Sequence, residues 1–336
     1  MDDMLEVEDM YATVLYNDEI HTFEEVITTL QRAVENCDRT LAISFVSLID
    51  REGRALVRCS QFQQCKEVQR VVERITGRRG VKPLKVVVIH AAVVAHQVFA
   101  MRLITWLDGI LAYSEGFRAL FSRILVEQET GQAGRRQPSI LEQLLKHDTV
   151  PWKAARSAAH HLLISGMLLE HASKKEFASV FTNCYGAIMK DFINDDHDHS
   201  FSVSSLSVQL FTVPSLAHHL VAHHDVLATL LRTFQSECER KRNARGKLEF
   251  EKNLSNSFRR AVYVLYDLKY ILAVPPTEFD DATRRGFLHG FSLLLDILGW
   301  MQGMDCHTRQ VSQLSTVTPW GRLKEKKTFF LSKIKL

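Results

Sequence analysis

Four histidines, His218, His219, His223 and His224, form an HH-x-x-x-HH array in which His219 and His223, four apart, would share one helix face. Two imidazoles on one face are the beginning of a metal site. A catalytic zinc centre needs a third protein ligand and a general base, and the H-E-x-x-H form is absent because Leu220 and Val221 occupy the middle. His197 and His199, within Asp195-Asp196-His197-Asp198-His199, have metal-ligating types, and a solvated loop between helices accounts for them as well. The basic residues from Arg240 to Lys247 also read as a solvated loop. Six cysteines at 37, 59, 65, 184, 238 and 306 contain no C-x-x-C pair, so neither a zinc ribbon nor a dithiol redox centre is written here. No phosphate loop, dinucleotide-binding glycine turn or G-x-S-x-G nucleophile elbow occurs. What remains is Asn17-Asp18-Glu19, a cluster of acceptors whose simplest reading is a turn.

The elements around that cluster make it more than a turn. Tyr11 to Tyr16 (YATVLY) is rich in aromatic and β-branched residues and predicts a strand that stops at Asn17. Thr22 and Glu25, three apart, form the capping box that opens a helix, and Val26, Ile27, Leu30, Ala33 and Val34 follow at helical spacing. A second helix is predicted over Thr40 to Ile49, with Asp50-Arg51-Glu52-Gly53 as its turn. Strand character returns from Arg54 to Cys59. Phe62, Cys65, Val68, Val72 and Ile75 mark a third helix before a loop from Gly77 to Pro83, and Leu84 to Ile89 is the last strand. The sequence thus predicts an α+β unit in the order strand, helix, helix, strand, helix, strand, over residues 11–90, preceded by an N-terminal segment at 1–10.

Residues 91–313 read as an all-α helical scaffold, with apolar spacing as in Phe287, Phe291, Leu294, Leu295 and Leu298. Breaks are expected at Glu129 to Pro138, Asn194 to Ser200, Glu239 to Lys247 and Pro275-Pro276. No fixed period of 30 to 50 residues is legible. From Leu314 to Leu336 the helical pattern lapses and lysine accumulates, which predicts a divergent, poorly packed tail.

Composition agrees with a mostly helical chain. Gly 15 and Pro 7 in 336 residues are roughly half of average usage, which disfavours turn-dense β folds and collagen. Lys+Arg 42 against Asp+Glu 39 leaves +3, too little to predict nucleic acid or an anionic membrane as partner. Scattered cysteines suit the reducing cytosol or nucleus. The acidic start MDDMLEVEDM has no apolar signal core, and no run of 18 uncharged apolar residues occurs, so neither secretion nor membrane spanning is expected.

The stretch from Leu15 to Val26 (LYNDEIHTFEEV) resembles the start of the ClpS-type adaptor domain, whose element order is the one predicted above. More similar still is the version of this domain in UBR-type N-recognins, large RING-type E3 ubiquitin ligases that read destabilising N-terminal residues. The Asp50-Arg51-Glu52-Gly53-Arg54 turn and Gln61-Phe62-Gln63-Gln64-Cys65 carry the likeness through the small domain. Lys82 to Val86, Val94-Ala95-His96-Gln97, Tyr113-Ser114-Glu115-Gly116, Asp267-Leu268-Lys269-Tyr270 and Met301 to Asp305 extend it to about Gln313. Those ligases also carry a zinc-bound UBR box and a RING, and neither Cys/His-dense module is written here. The resemblance therefore implies an internal piece of such a ligase with no cofactor of its own, zinc belonging to those modules, and reaching a ubiquitin-conjugating enzyme only through them.

In the adaptor family the Asn and Asp that end the first strand hold the substrate's free α-amine beside an apolar pocket. Carried over, these are Asn17 and Asp18, with Phe23, Val26, Val46 and Ile49 as the lining. Bacterial adaptors place a His where this sequence has Asp50, and this departure from the family pattern leads to the expectation of amine recognition by two carboxylates. The residue types agree, since an ammonium offers only donors and needs acceptors such as Asp18, Asp50 and the Asn17 amide oxygen. The implied function is capture of proteins that begin with Phe, Trp, Tyr, Leu or Ile, for ubiquitin-dependent degradation in the N-degron pathway. The alternative is a non-catalytic helical scaffold of a ubiquitin ligase with a vestigial pocket, and a metal-dependent hydrolase on the His array stands third.

Overall fold

The computed structural model describes residues 10–77, 80–128, 136–195, 202–249 and 255–302. Its N-terminal unit runs β1 (Met10–Tyr16), α1 (Phe23–Ala33), α2 (Arg39–Glu52), β2 (Arg54–Gln61), α3 (Phe62–Thr76) and β3 (Val86–His90), the order read from the sequence. The sheet order is β2-β1-β3, antiparallel throughout, with a register shift between Thr13 and Val14 against β2. Four consecutive β1 residues, Ala12 to Leu15, are buried, as expected of a central strand covered on both faces. Leu15 shares a small core with Val26, Ile27 and Leu30 of α1, Val46 and Ile49 of α2 and Val72 of α3.

Caps fix where these helices start. Thr22 accepts from the Glu25 N–H while the Glu25 carboxylate accepts from the Thr22 N–H at 2.8 Å, closing the predicted capping box. Asp38 Oδ1 accepts from the Leu41 N–H at 2.7 Å, so α2 begins one residue before the predicted Thr40. It also continues three residues past the predicted Ile49, to Glu52, ending on Gly53 at φ +84°, which a side chain rarely adopts.

Beyond β3 the described chain is helical, in eleven segments: α4 (Ala91–Tyr113), α5 (Glu115–Val126), α6 (Ile140–Lys146), α7 (Lys153–Met167), α8 (His171–Asp195), α9 (Val203–Phe211), α10 (Pro214–His223), α11 (Val226–Glu239), α12 (Asn256–Ala261), α13 (Tyr263–Ile271) and α14 (Asp281–Met301). Phe177, Phe181, Tyr185 and Phe192 of α8 are fully buried at the centre of the larger core. The Phe181 ring meets Tyr185 and Phe211 edge-on at centroid separations of 6.0 and 5.9 Å. Pro275-Pro276 falls between α13 and α14, as predicted. The basic stretch after α11 is more ordered than a solvated loop: Arg242 bridges to Leu248 and lies 4.7 Å from the Trp300 ring centroid. The expected His197 and His199 loop and the tail from Leu314 lie outside the described residues. Among the described residues no helix is long and apolar enough to cross a membrane.

The two parts meet without a linker. His90, the last residue of β3, caps α4 by accepting the Ala92 N–H at 3.2 Å. The α2–β2 turn also touches the start of α7. Arg54 stacks 3.3 Å over the Trp152 ring, and Lys153 Nζ donates to the Asp50 carbonyl at 3.1 Å.

One buried carboxylate in the helical core yields a pH prediction. Asp267 of α13 accepts from Tyr185 Oη at 2.7 Å and Ser207 Oγ at 2.6 Å, and burial raises it from 3.8 to about 6 despite both bonds. The folded state therefore holds a proton that the unfolded chain releases. The stability this proton contributes is complete below the unfolded value and is lost as pH rises through about 6. Chemical denaturation across this range is expected to show stability falling with pH, and Asp267→Asn is expected to flatten that slope. An identical slope in the variant would assign the dependence elsewhere.

Candidate functional site

The end of β1 and two helix faces build one cavity. Phe23 and Val26 are three apart on α1, and Val46, Ile49 and Asp50 are spaced three and four apart on α2, so each set presents to one side of its helix. Together with Leu15, Tyr16, Asn17, Asp18, His21 and Leu84 they line a cavity of about 110 Å³. That is of the order of the ~150 Å³ apolar cavity that holds a benzene ring. All seven residues singled out in the sequence, Asn17, Asp18, Asp50, Phe23, Val26, Val46 and Ile49, line this one cavity.

Its wall divides by chemistry. Leu15, Val26, Val46, Ile49 and Leu84 are buried and aliphatic, Phe23 is 55% exposed at the edge, and Asn17 and Asp50 are exposed acceptors. No Lys or Arg is among the lining residues. Backbone bonds set the rim: the Tyr16 N–H donates to the Lys85 carbonyl and the Asn17 N–H to the Gly53 carbonyl, both at 3.0 Å. Asn17 and the Asp50 turn are thereby held against each other. Such a wall accommodates an apolar group that carries a cation.

Asp18 is the most constrained acceptor. Its Oδ1 accepts the Ile20 and His21 N–H groups at 3.1 and 3.0 Å, and its Oδ2 lies 2.7 Å from His21 Nδ1. Burial works to raise the carboxyl, but the His21 N–H, the His21 ring and the Ile20 N–H outweigh it and hold the group below the usual carboxylate range. A carboxylate has about four lone-pair sites, so three bonds still leave one for a ligand. The His21 side chain is 6% exposed, and its Nε2 sits 3.3 Å from the Thr76 carbonyl at the end of α3. Sequence reading missed His21, Leu15, Tyr16 and Leu84. The three-residue spacing from Asp18 to His21 was the available signal for His21. His21→Ala is expected to return the Asp18 carboxyl toward its ordinary value, read by NMR titration; an unmoved Asp18 would assign the shift to the backbone donors alone.

The histidine array does not build a comparable site. His219 and His223 are adjacent on α10, with ring centroids 4.7 Å apart, while His218 Nε2 donates to the Val274 carbonyl at 2.9 Å. Burial, Lys175 and the neighbouring histidines lower His219 to about 4. Among the described residues no group of three or more His, Cys, Asp or Glu side chains is placed to hold a metal ion.

Comparison with known proteins bears on both parts of the chain. Residues 6–87 match the family described as ATP-dependent Clp protease adaptor protein ClpS. Residues 136–334 match the UBR1/2/3-like ARM repeat domain, so the helical part from residue 136 onward falls in a repeat family although no fixed period is legible in the sequence. The chain is 41% identical over 320 residues to E3 ubiquitin-protein ligase UBR2 of Homo sapiens, covering 94% of this chain and 18% of that protein. It is 41% identical over 313 residues to E3 ubiquitin-protein ligase UBR1 of Drosophila melanogaster, covering 90% and 17%. With E3 ubiquitin-protein ligase UBR1 of Homo sapiens the figures are 36% over 314 residues, 94% and 18%. The chain thus spans less than a fifth of the length of these relatives.

Proposed function

Because this chain belongs to the UBR1/2/3-like ARM repeat family and carries a ClpS-like domain ahead of the matching region, we propose that it captures substrates by their N-terminal residue on behalf of a ubiquitin ligase. The substrates begin with a bulky hydrophobic residue bearing a free α-amine, and capture commits them to ubiquitin-dependent degradation in the N-degron pathway. The observation that supports this reading is a cavity with an aliphatic floor and an acceptor rim of Asn17, Asp18 and Asp50, with no Lys or Arg among its lining residues.

Magnitudes are consistent with such a role. Charge-assisted hydrogen bonds contribute about 1.5 to 3 kcal/mol each, and burying a Leu or Phe side chain about 1.5 to 3 kcal/mol. After association costs, affinities on the order of micromolar are expected. A cavity of about 110 Å³ with Phe23 at its exposed edge is of a size to receive a large apolar side chain. Calorimetric titration of peptides that differ only in the first residue tests the reading. Binding by Phe and Leu but not by Gly or Lys is expected, and no binding by any of them leaves the vestigial-pocket scaffold. Ubiquitin transfer belongs to other modules in this reading, and a reconstituted assay with the 336-residue chain as sole ligase is expected to yield no conjugates.

A further inference from the structure

Two cations flank the acceptor rim without entering it. Arg54 stands opposite Tyr16 in the β1–β2 ladder, next to Asn17, and the carbonyl of Lys85 accepts the Tyr16 N–H at 3.0 Å. Long side chains reach both their opposite and their diagonal neighbours across such a ladder. Asp50, four residues before Arg54, is exposed, and among the described residues its carboxylate forms no ion pair. A guanidinium offers five donors in a fork that fits a carboxylate, so Arg54 has a matching acceptor within its own turn. Neither Arg54 nor Lys85 lines the cavity.

Aromatic rings hold both cations away. The Arg54 guanidinium lies 3.3 Å over the Trp152 ring, and Lys85 Nζ lies 4.6 Å from the Tyr16 ring centroid. Trp152 is a firm platform. It is half-buried at the start of α7, and its carbonyl accepts the Arg156 N–H at 3.0 Å. Arg156 Nε in turn donates to the buried Asp148 carboxylate at 2.9 Å, which also bonds His160. The next residue, Lys153, donates to the Asp50 carbonyl at the end of α2, where helix carbonyls lack partners of their own. The ring that takes Arg54 and the helix end that carries Asp50 are therefore held in one register.

We infer that Trp152, from the helical part, is a positioning residue for amine capture: it holds the Arg54 guanidinium off Asp50 and leaves the rim to the α-ammonium of the incoming peptide. The inference rests on the capture reading above. Arg54 keeps its charge at every working pH and is tethered beside the rim, so once released it competes with the peptide's cation for the same acceptor.

Calorimetry with a Phe-initiated peptide tests this on the full 336-residue chain, with its circular dichroism melt measured alongside. Trp152→Ala is expected to weaken binding about threefold to fivefold, the size of an exposed ion pair. Trp152→Phe keeps a ring under the guanidinium and is expected to retain most of the affinity. Adding Arg54→Gln to Trp152→Ala is expected to restore binding, whereas Arg54→Gln with Trp152 in place leaves affinity unchanged. A double variant as weak as Trp152→Ala overturns the inference and assigns the effect to the turn itself, and full affinity in Trp152→Ala also overturns it. A peptide-free measurement separates this result from the capture reading. In Trp152→Ala the Arg54 Nε–H resonance is expected to move when Asp50→Asn is added, and to stay in place when Trp152 is present. No response in Trp152→Ala overturns the inference, while absence of any peptide binding by the unchanged chain counts against the capture reading and leaves the Arg54 spectrum to decide where the guanidinium goes.

Discussion

Acetylating the α-amine of a Phe-initiated peptide is expected to reduce its affinity for this chain on the order of a hundredfold or more, to below detection by calorimetry. The amine is the only cation the peptide brings to the rim of Asn17, Asp18 and Asp50, and acetylation removes both its charge and two of its donors. Two charge-assisted bonds at about 1.5 to 3 kcal/mol each account for a loss of that size. Asp18→Asn keeps the shape and removes the charge, and is expected to weaken binding by about tenfold to a hundredfold, the equivalent of one such bond. Asp50→Asn tests the second carboxylate by the same assay. Unchanged affinity there would leave amine recognition to Asn17 and Asp18.

The same rim fixes the pH profile. Above about pH 8 binding should fall as the peptide amine, with a pKa of about 7.7 to 8.0, loses its proton. On the acid side a simple carboxylate would begin to fail near pH 4.5, the expectation for two ordinary aspartates. The donors on Asp18 lower its carboxyl from 3.8, so its contribution persists through that range and is lost only as pH falls through the lowered value. Equal affinity for free and acetylated peptides at a pH where the amine is protonated would remove the amine from the recognition scheme.

Gly53→Ala is expected to destabilise the chain by about 2 to 4 kcal/mol and to weaken peptide binding with it. Two causes add. A side chain at φ +84° costs about 1 to 2 kcal/mol, and the new Cβ would stand 2.6 Å from the Lys153 Cβ and 2.8 Å from the Lys153 backbone nitrogen. The backbone nitrogen cannot rotate away, so the α2–β2 turn must shift relative to α7. Asp50 lies in the last turn of α2, which leads into it, and the Gly53 carbonyl accepts the Asn17 N–H, so a shift separates two of the three rim acceptors. Gly80→Ala is the control, because Gly80 also has a positive φ, +76°, but no atom lies within 4 Å of its added Cβ. It should show the conformational cost alone and bind peptide normally. Chemical denaturation and calorimetry on both variants make the comparison. If Gly53→Ala matched Gly80→Ala in both, the contact with α7 would not constrain the site.

The sequence by itself determined the element order of the N-terminal unit, because each boundary is a local event. Thr22 and Glu25 close their capping box within four residues, Gly53 relieves a positive φ within its own turn, and the β-branched run of β1 needs only its neighbours to read as a strand. Phe23, Val26, Val46 and Ile49 are named as lining by the resemblance to the adaptor family, and their three-residue spacing on α1 and α2 agrees with it. Sequence patterns cannot reach contacts made across the fold. Leu84 reaches the cavity from 34 residues beyond Asp50, and the Thr76 carbonyl that His21 faces is 55 residues away, so no periodicity announces either. The docking of Arg54 and Asp50 on Trp152 and Lys153 joins residues about a hundred apart, and only the packed helices bring them into register. Helix α4 shows the converse. Its apolar spacing reads as core from sequence alone, and only the tertiary structure shows that the described residues pack against one side of the helix while Phe99, Trp106 and Tyr113 stay exposed.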